Sequence, residues 1–288
     1  MTDLPDIHTV FGVDFSGARL AGRTTWVARC EVRGHGDEAR LHLVRLASLE
    51  RLAGSAERLP ALAHLVAMVR ASGDALWALD APLGLPVELF DGSVGWSNTV
   101  RLVREWAPDG AYDLGLWCLA RARERGLPQH VYRATDRAAR APFDPYHYRI
   151  IYQTFHAIRD VAAPLARTRE TAVLPFQYRR LGRARRVLVE TCPSSTLKRL
   201  GLPHQNYKQP EGGPLAARRL RTRRALLAGL APLVEIWPEH RRLIMRDPGG
   251  DALDAVICAA GAFAAWRAAD HVGLARDRRA GREGFLYA

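Results

Sequence analysis

Strand signals dominate the first 86 residues of the chain and restrict it to folds built on a sheet. The first signal is HTVFGVDFSGA (8–18), which alternates and then runs apolar into a glycine-bounded turn. A buried strand is therefore predicted to end near Asp14. Two further β-rich segments are TTWVARCEVR (24–33) and ARLHLVRLA (39–47), which the turn-prone GHGDE separates. The opening of the chain thus predicts three consecutive strands.

A helix and a fourth strand follow these three. Apolar residues recur at helical spacing over 48–71, and ALWALDAPLGLP (75–86) then predicts a short apolar strand that ends near Asp80, before a run of prolines and glycine. Strand and helix signals lose their rhythm from 87 to 185, where helical pieces such as DLGLWCLARARERG occur. We interpret 87–185 as a largely helical insertion.

The second half of the chain returns to clear signals. RRVLVETCPSS (185–195) predicts a strand that ends near Glu190, and a basic helix (214–230) and an apolar helix (249–266) follow. Without the insertion, the order is that of a ribonuclease H-like core, an α/β fold with a mixed sheet flanked by helices. The predicted organisation is a single domain over 7–270, with a core of 7–86 and 186–270, an insertion of 87–185, and a packed C-terminal tail of 271–288.

Four aspartates stand at the ends of the predicted core elements. Asp14 and Asp80 end the first and fourth strands, and Asp251 and Asp254 lie in the first turns of the last helix. In a ribonuclease H-like topology these strands are neighbours and the last helix packs beside them, so the four carboxylates would converge. Converging carboxylates repel one another unless cations or protons neutralise them. The four residues therefore predict a Mg²⁺ or Mn²⁺ site, where two ions about 4 Å apart would assist phosphodiester cleavage by water.

Each of these acids also has a simpler explanation to be weighed. The Asp14 side chain would otherwise accept from backbone amides in the turn that follows it, and Asp80 would begin a turn. Asp251, which follows two glycines, would be an N-cap or first-turn acid. Asp254 is harder to explain in this way, because it shares a helical face with Asp251 in an otherwise apolar segment.

Two further acids and two arginines are secondary candidates. Glu190 is predicted either as an additional ligand or water-orienting base, or as an acid at the edge of the sheet that pairs with an arginine. Asp136, with Arg133 and Arg140, is predicted to form an acid–arginine network that lines the cleft from the insertion. The alternative for Asp136 and Arg140 is an ordinary i,i+4 helix pair.

The basic residues suggest an anionic partner. The formal net charge is +12, and of 42 basic residues only two are lysines, a bias that a GC-rich genome would also produce. We expect DNA or RNA as the partner, with phosphate contacts from Lys208 and from Arg218 and Arg221 in the helix RRLRTRR (218–224). A solvated arginine face is the alternative for that helix.

Several motifs together carry a resemblance to a known family. They are FGVDFSGA, WALDAPLGLP, RATDRAAR, VETCPSSTLKRLGLP with NYK downstream, and GGDALDAVICAAGAFAAW. This set resembles the DUF429 family, a family of unknown function predicted to be ribonuclease H-like nucleases, over nearly the whole chain and including the EGFLYA ending. The resemblance implies a ribonuclease H-like fold and a nuclease activity.

The wider superfamily adds a comparison of the acids. Asp14, Asp80, Asp251 and Asp254 fall where Holliday-junction resolvases of the RuvC type place their metal-binding acids, and the DALDA segment is similar to the last helix of those enzymes. The second position is commonly Glu in the resolvases. Asp80 is shorter by one methylene, so the metal spacing or occupancy would differ.

The leading functional prediction is a divalent-metal-dependent phosphodiesterase, a nuclease. One alternative is an actin- or sugar-kinase-like phosphotransferase or ATPase, in which Ser16 of GVDFSGAR and nearby amides would cradle phosphate; the chain lacks a second phosphate loop of that type. A non-catalytic nucleic-acid-binding protein of the same fold is the other. The four scattered cysteines and the absence of an apolar run near the ~18 residues that cross a bilayer predict a cytoplasmic protein with no membrane contact.

Overall fold

The chain forms one seven-stranded mixed sheet in a computed structural model, which describes residues 4–92, 94–209 and 211–288. The strand order is β5-β6-β4-β1-β2-β3-β7. β2 is antiparallel to both β1 and β3, and the other neighbouring pairs are parallel. The strands are β1 (Thr9–Asp14), β2 (Trp26–Arg33), β3 (Arg40–Ser48), β4 (Ala75–Leu79), β5 (Thr171–Val173), β6 (Arg186–Glu190) and β7 (Val234–Glu235).

The predicted mixed α/β sheet is confirmed. β1 and β4 are parallel neighbours, which is the feature of the ribonuclease H-like topology from which convergence of the acids was predicted. Two short edge strands were not predicted. β5 lies inside the insertion and pairs with β6, so the insertion contributes to the sheet as well as to its helical cover. Three and two residues, as in β5 and β7, are too few to show the alternation of a strand.

Helices cover both faces of the sheet and build most of the insertion. The segment 48–71, predicted as one helix, forms two, because Gly54 adopts a left-handed conformation that ends the first. The α-helices are α1 (Ala21–Thr24), α2 (Leu49–Ala53), α3 (Arg58–Ala71), α4 (Trp96–Glu105), α5 (Ala111–Glu124), α6 (Ala134–Ala138), α7 (Ile151–His156), α8 (Ala163–Leu165), α9 (Pro193–Arg199), α10 (Ala217–Leu230), α11 (Pro238–Arg246), α12 (Asp251–Ala268), α13 (His271–Arg276) and α14 (Ala280–Glu283). A π-helical turn over Ala157–Ala162 joins α7 to α8, and 3₁₀ turns lie at Gly36–Glu38, Val87–Leu89 and Tyr178–Arg183.

Helix α12 lies directly on β1, and Gly12 permits this contact. A Cβ atom added to Gly12 would lie 1.9 Å from the carbonyl oxygen of Ala255 and 2.5 Å from the amide nitrogen of Ala259. The backbones of strand and helix therefore touch with no side chain between them. Asp14 is two residues after Gly12 and Asp254 is one residue before Ala255, so the same contact brings these two carboxylates together.

We expect Gly12→Ala to destabilise the protein by about 3 kcal/mol, the upper end of the cost of overpacking. The atoms that the new methyl would meet belong to a helix backbone, which moves only as a unit. Urea unfolding followed by circular dichroism measures the effect. Gly281→Ala, in α14, is the matched control, because its added Cβ meets no atom within 4 Å. Equal midpoints for the two variants would contradict the close contact.

The structure also bears on membrane-spanning segments, on the state of the cysteines and on the C-terminal tail. In those ranges, no helix is both long enough and apolar enough to cross a bilayer. All four cysteines are free thiols; Cys192 is half-buried and the other three are buried. Tyr287 in the tail is also buried, and its amide donates to the Glu190 carbonyl at 2.8 Å.

Candidate active site

Three of the four predicted aspartates line one cavity of about 290 Å³. Asp14 is the last residue of β1, Asp80 directly follows β4, and Asp254 lies in the first turn of α12. Because β1 and β4 are parallel, their carboxyl ends open at the same edge of the sheet, where α12 begins. Asp14 is 7% exposed and Asp254 is 1% exposed, so these two carboxylates are reached through the cavity rather than from the outer surface.

Burial and crowding shift the proton equilibria of this cluster. Burial raises the pKa of Asp14 well above its ordinary value; Lys208 lowers that pKa and Asp254 raises it further. Burial and the charge of Asp254 raise the pKa of Asp80 to about 8. Burial is thus the main cause of both shifts, and the neighbouring carboxylates add to it.

The single lysine at the cavity is the cation that the cluster already has. The Lys208 ammonium forms an ion pair with the Asp254 carboxylate, and the Tyr207 hydroxyl donates to Asp254 Oδ1 at 2.9 Å. Burial works to lower the pKa of Lys208, but the carboxylates of Asp254 and Asp14 outweigh it and raise that pKa well above its ordinary value. The side chain is still 42% exposed, so it also faces solvent and any ligand that enters.

A buried arginine positions the segment that carries Lys208. Arg223 of α10 donates to the carbonyl oxygens of Tyr207 at 2.7 Å, Ile244 at 2.6 Å and Pro248 at 3.1 Å. Gly250 has φ +86°, and a Cβ there would lie 3.0 Å from Lys208 Cγ. The run RRLRTRR was predicted as a phosphate-contacting helix, and its sequence does not reveal that one of its members, Arg223, is buried.

Asp251 is not placed with the other three aspartates. It is half-buried, it does not line the cavity, and burial raises its pKa to about 6. Its electrostatic neighbours include Lys208, Asp247 and Asp254, so it lies beside the cluster. Gly250 occupies the N-cap of α12 and Asp251 lies in its first turn, so the simpler explanation of Asp251 as a first-turn acid holds.

Glu190, Arg133 and Asp136 also line the cavity, but they are engaged with one another. Arg133 is 0% exposed and uses all five N–H donors: toward Asp136 at 3.0 and 2.7 Å, toward Glu190 at 2.8 Å and through a second, shorter contact, and toward the Glu283 carbonyl at 3.0 Å. Glu190 also accepts from the Leu83 amide at 3.0 Å. Of the two predictions for Glu190, the structure therefore agrees with the acid that pairs with an arginine. Arg133 has no donor left for a phosphate.

The other arginines predicted to contact phosphate do not line the cavity of the aspartates. Asp136 pairs with Arg133 rather than with Arg140, which is exposed and faces a separate cavity next to Arg199. The i,i+4 pair predicted as an alternative is thus replaced by an i,i+3 pair. Arg218 and Arg221 are exposed on the face of α10 opposite the buried Arg223, where phosphate contact stays a prediction.

Ser16, predicted as part of a phosphate loop, is committed to its own turn. Its amide donates to Thr25 Oγ1 at 3.1 Å, and its hydroxyl accepts from the Ala18 amide at 3.3 Å. Gln153 of α7 donates to the Phe15 carbonyl at 2.5 Å, which packs this turn under the insertion. The turn therefore offers a phosphate few free donors.

The cluster suits a hard divalent cation in donor type and in charge. Carboxylate oxygens are the ligands that Mg²⁺ and Mn²⁺ prefer, and burial together with neighbouring carboxylates raises the pKa values of Asp14 and Asp80, so a cation beside them would favour their ionised forms. Across the described ranges, however, no three His, Cys, Asp or Glu side chains are arranged as they stand to hold a metal ion. The Lys208 ammonium, which contacts one of the donors, would have to leave Asp254 for an ion to bind.

The chain matches a known protein family. The family model described as a protein of unknown function (DUF429) matches residues 12–276. No curated protein and no solved structure matches the chain.

Proposed function

The chain belongs to the DUF429 family, whose description assigns no activity, and from its acidic cavity we propose that it is a divalent-metal-dependent phosphodiesterase acting on nucleic acid. The observation that carries the proposal is the convergence of Asp14, Asp80 and Asp254, from two strands and one helix, around a cavity with a single lysine. Keeping three carboxylates at one cavity, two of them buried, is costly unless a cation is to bind there.

Asp14, Asp80 and Asp254 would hold the ion, with Asp251 beside them as an outer acid. When bound, Mg²⁺ or Mn²⁺ supplies Lewis-acid stabilisation of the charge that develops on phosphate oxygens. Asp80, with a pKa of about 8, holds a proton on its carboxyl at neutral pH until a cation replaces it. Tyr207 keeps the Asp254 carboxylate oriented through its hydroxyl.

Lys208 has two roles in this proposal. In the free protein its ammonium neutralises Asp254. With Asp14, Asp80 and Asp254 holding a divalent ion, the half-exposed ammonium would be available to bind a phosphate oxygen of the substrate as a point charge. Arg133 keeps Glu190 and Asp136 fixed and offsets one of their two negative charges, so this pair of acids is engaged with the arginine rather than free to hold an ion.

The phosphotransferase alternative has less support. A phosphate loop at the first strand turn needs free amide donors, and the Ser16 amide is already bonded to Thr25. A purely binding protein would have no need for a buried cluster of acids whose pKa values are raised, since phosphate contacts come from basic residues.

Calorimetric titration with Mn²⁺ tests the proposal. Because Asp14 and Asp80 carry protons below their raised pKa values, binding should release protons, and the heat should vary with the ionisation enthalpy of the buffer. Affinity should rise with pH through about 8, the pKa of Asp80. Cleavage of labelled DNA and RNA should follow the same pH profile.

Two variants test the roles of Asp254 and Lys208 in the same titration. Asp254→Asn should lose Mn²⁺ binding and cleavage together. Lys208→Met keeps the carboxylates and removes the competing ammonium, so it should bind Mn²⁺ more tightly, by about tenfold for 1.4 kcal/mol of relieved charge repulsion. Wild type that binds no Mn²⁺ at any of these pH values, or that cleaves equally well in a chelator, would refute the proposal.

A further inference from the structure

The helical insertion encloses the acids rather than leaving them on an open surface. Ala141, Pro142, Phe143, Ile150 and Gln153 line the same cavity as Asp14 and Asp254, and all five belong to the segment 87–185. The cavity thus combines an acidic end from the sheet core with a mostly apolar wall from the insertion.

The size of this cavity restricts what can reach the acids. About 290 Å³ is at the lower end of the roughly 300–1,000 Å³ that sites for small ligands occupy. A duplex, whose major groove alone is about 12 Å wide, does not fit such a space. With Asp14 and Asp254 both buried, a phosphate must enter the cavity to reach them.

We propose that the substrate presents an unpaired nucleotide, whose base lies against Phe143 while its phosphate reaches Asp14, Asp80 and Asp254. This inference rests on the proposed phosphodiesterase function and names its substrate class. Bases of any sequence stack on aromatic rings, and pairing must be absent or broken for a base to enter a pocket. A single strand, a strand end and a dinucleotide share this chemistry.

Phe143 is suited to this role because it is partly exposed to the cavity and firmly held. Its ring stacks on His147, with centroids 4.4 Å apart and an angle of 27°, and the Arg149 guanidinium lies 5.7 Å from its centroid. The next residue, Asp144, is fully buried, lies 2.8 Å from His130 Nδ1 and accepts from the Tyr146 amide at 3.1 Å. The wall is therefore formed before any ligand binds, and a base would meet an aromatic ring with a cation beside it.

The test compares Mn²⁺-dependent cleavage of labelled substrates of one sequence: a single strand, its blunt duplex, and a single strand with an abasic analogue beside the scissile phosphate. The single strand should be cleaved at least about 100-fold faster than the duplex, since opening a pair opposes entry. Phe143→Leu, which keeps an apolar side chain, should slow single-strand cleavage by about 5- to 150-fold, the range expected for one lost base stack. The abasic substrate should not respond to that change.

Tyr112→Ala is the matched control, because Tyr112 is an exposed aromatic residue of the insertion that does not line the cavity. It should leave every substrate unaffected. Duplex cleavage as fast as single-strand cleavage, or an equal effect of Phe143→Leu on the abasic strand, would overturn the base site while leaving the phosphodiesterase proposal standing. A dinucleotide substrate run beside a 12-mer tells whether a small nucleotide or a strand is preferred.

A binding measurement separates the two proposals if the protein binds nucleotides but cleaves no substrate. Fluorescence of a trinucleotide containing 2-aminopurine should be quenched by the wild-type protein without added metal, and Phe143→Leu should weaken this binding as it weakens cleavage. Binding that depends on Phe143, together with no cleavage of any substrate, would overturn the phosphodiesterase and support the base site. Binding of equal strength in wild type, Phe143→Leu and Tyr112→Ala would overturn the base site.

Discussion

Replacing Asp80 by Asn is expected to stabilise the metal-free protein at about pH 8.5 by about 1–3 kcal/mol while lowering phosphodiester cleavage by about 10³-fold. Asparagine has nearly the same shape as aspartic acid but carries no charge. It therefore removes the repulsion among the cavity carboxylates and, with it, an oxygen donor of the proposed ion. Stability and activity should change in opposite directions.

The pH dependence follows from the direction of the pKa shift. The pKa of Asp80 is about 8 in the folded protein, against an ordinary value of 3.8. Between these two values the folded state binds a proton that the unfolded chain has lost, so wild-type stability falls as pH rises from about 4 to about 8. Asp80→Asn has no such titration, so its advantage should be small at about pH 5 and fully developed above about pH 8.

Thermal unfolding in a chelator at about pH 5 and about pH 8.5 measures this difference. Asp91→Asn is the control, because the Asp91 side chain is 85% exposed and pairs with surface arginines. It should show no comparable gain at high pH. A destabilised Asp80→Asn at about pH 8.5 would mean that the Asp80 carboxylate is stabilised in the fold rather than strained.

Replacing Arg133 by Met is expected to cost about 3–5 kcal/mol of unfolding free energy, the penalty for leaving a buried ion pair without its partner. Arg133 is fully buried, and its guanidinium is shared by the carboxylates of Asp136 and Glu190. It also donates to the Glu283 carbonyl. The single side chain therefore ties together the insertion, the end of β6 and the C-terminal segment.

Urea unfolding of Arg133→Met is best compared with Arg137→Met, an exposed arginine of the same helix α6. The control should change stability by less than about 0.5 kcal/mol, as surface substitutions usually do. Arg133→Lys should not restore stability, because one ammonium cannot reproduce five N–H bonds in a planar fork. Equal stability of Arg133→Met and Arg137→Met would show that the buried network contributes nothing.

Sequence patterns were most informative where function depends on residues at the ends of regular elements. Asp14 and Asp80 follow apolar strand runs, and Asp254 interrupts an apolar helix, so their places in β1, after β4 and in α12 were predictable. Local periodicity defines each element, and parallel neighbours bring their carboxyl ends to one edge. Asp251, three residues before Asp254, was assigned to the same cluster because helical spacing gives a shared face but not the depth at which each side chain is buried.

The sequence by itself determined the class of the sheet, the order of its core strands along the chain and three of the acids at its edge. These depend on hydrophobic patterns within single segments. Only the tertiary structure decided how the acids are neutralised and enclosed. Arg133 meets Glu190 across 57 positions of the chain, Lys208 reaches Asp254 from a loop held by Arg223, and the Phe143 wall comes from the insertion. Such pairings depend on which segments pack together, and a run of arginines in one segment carries no mark of which guanidinium will be buried against a distant carbonyl or carboxylate.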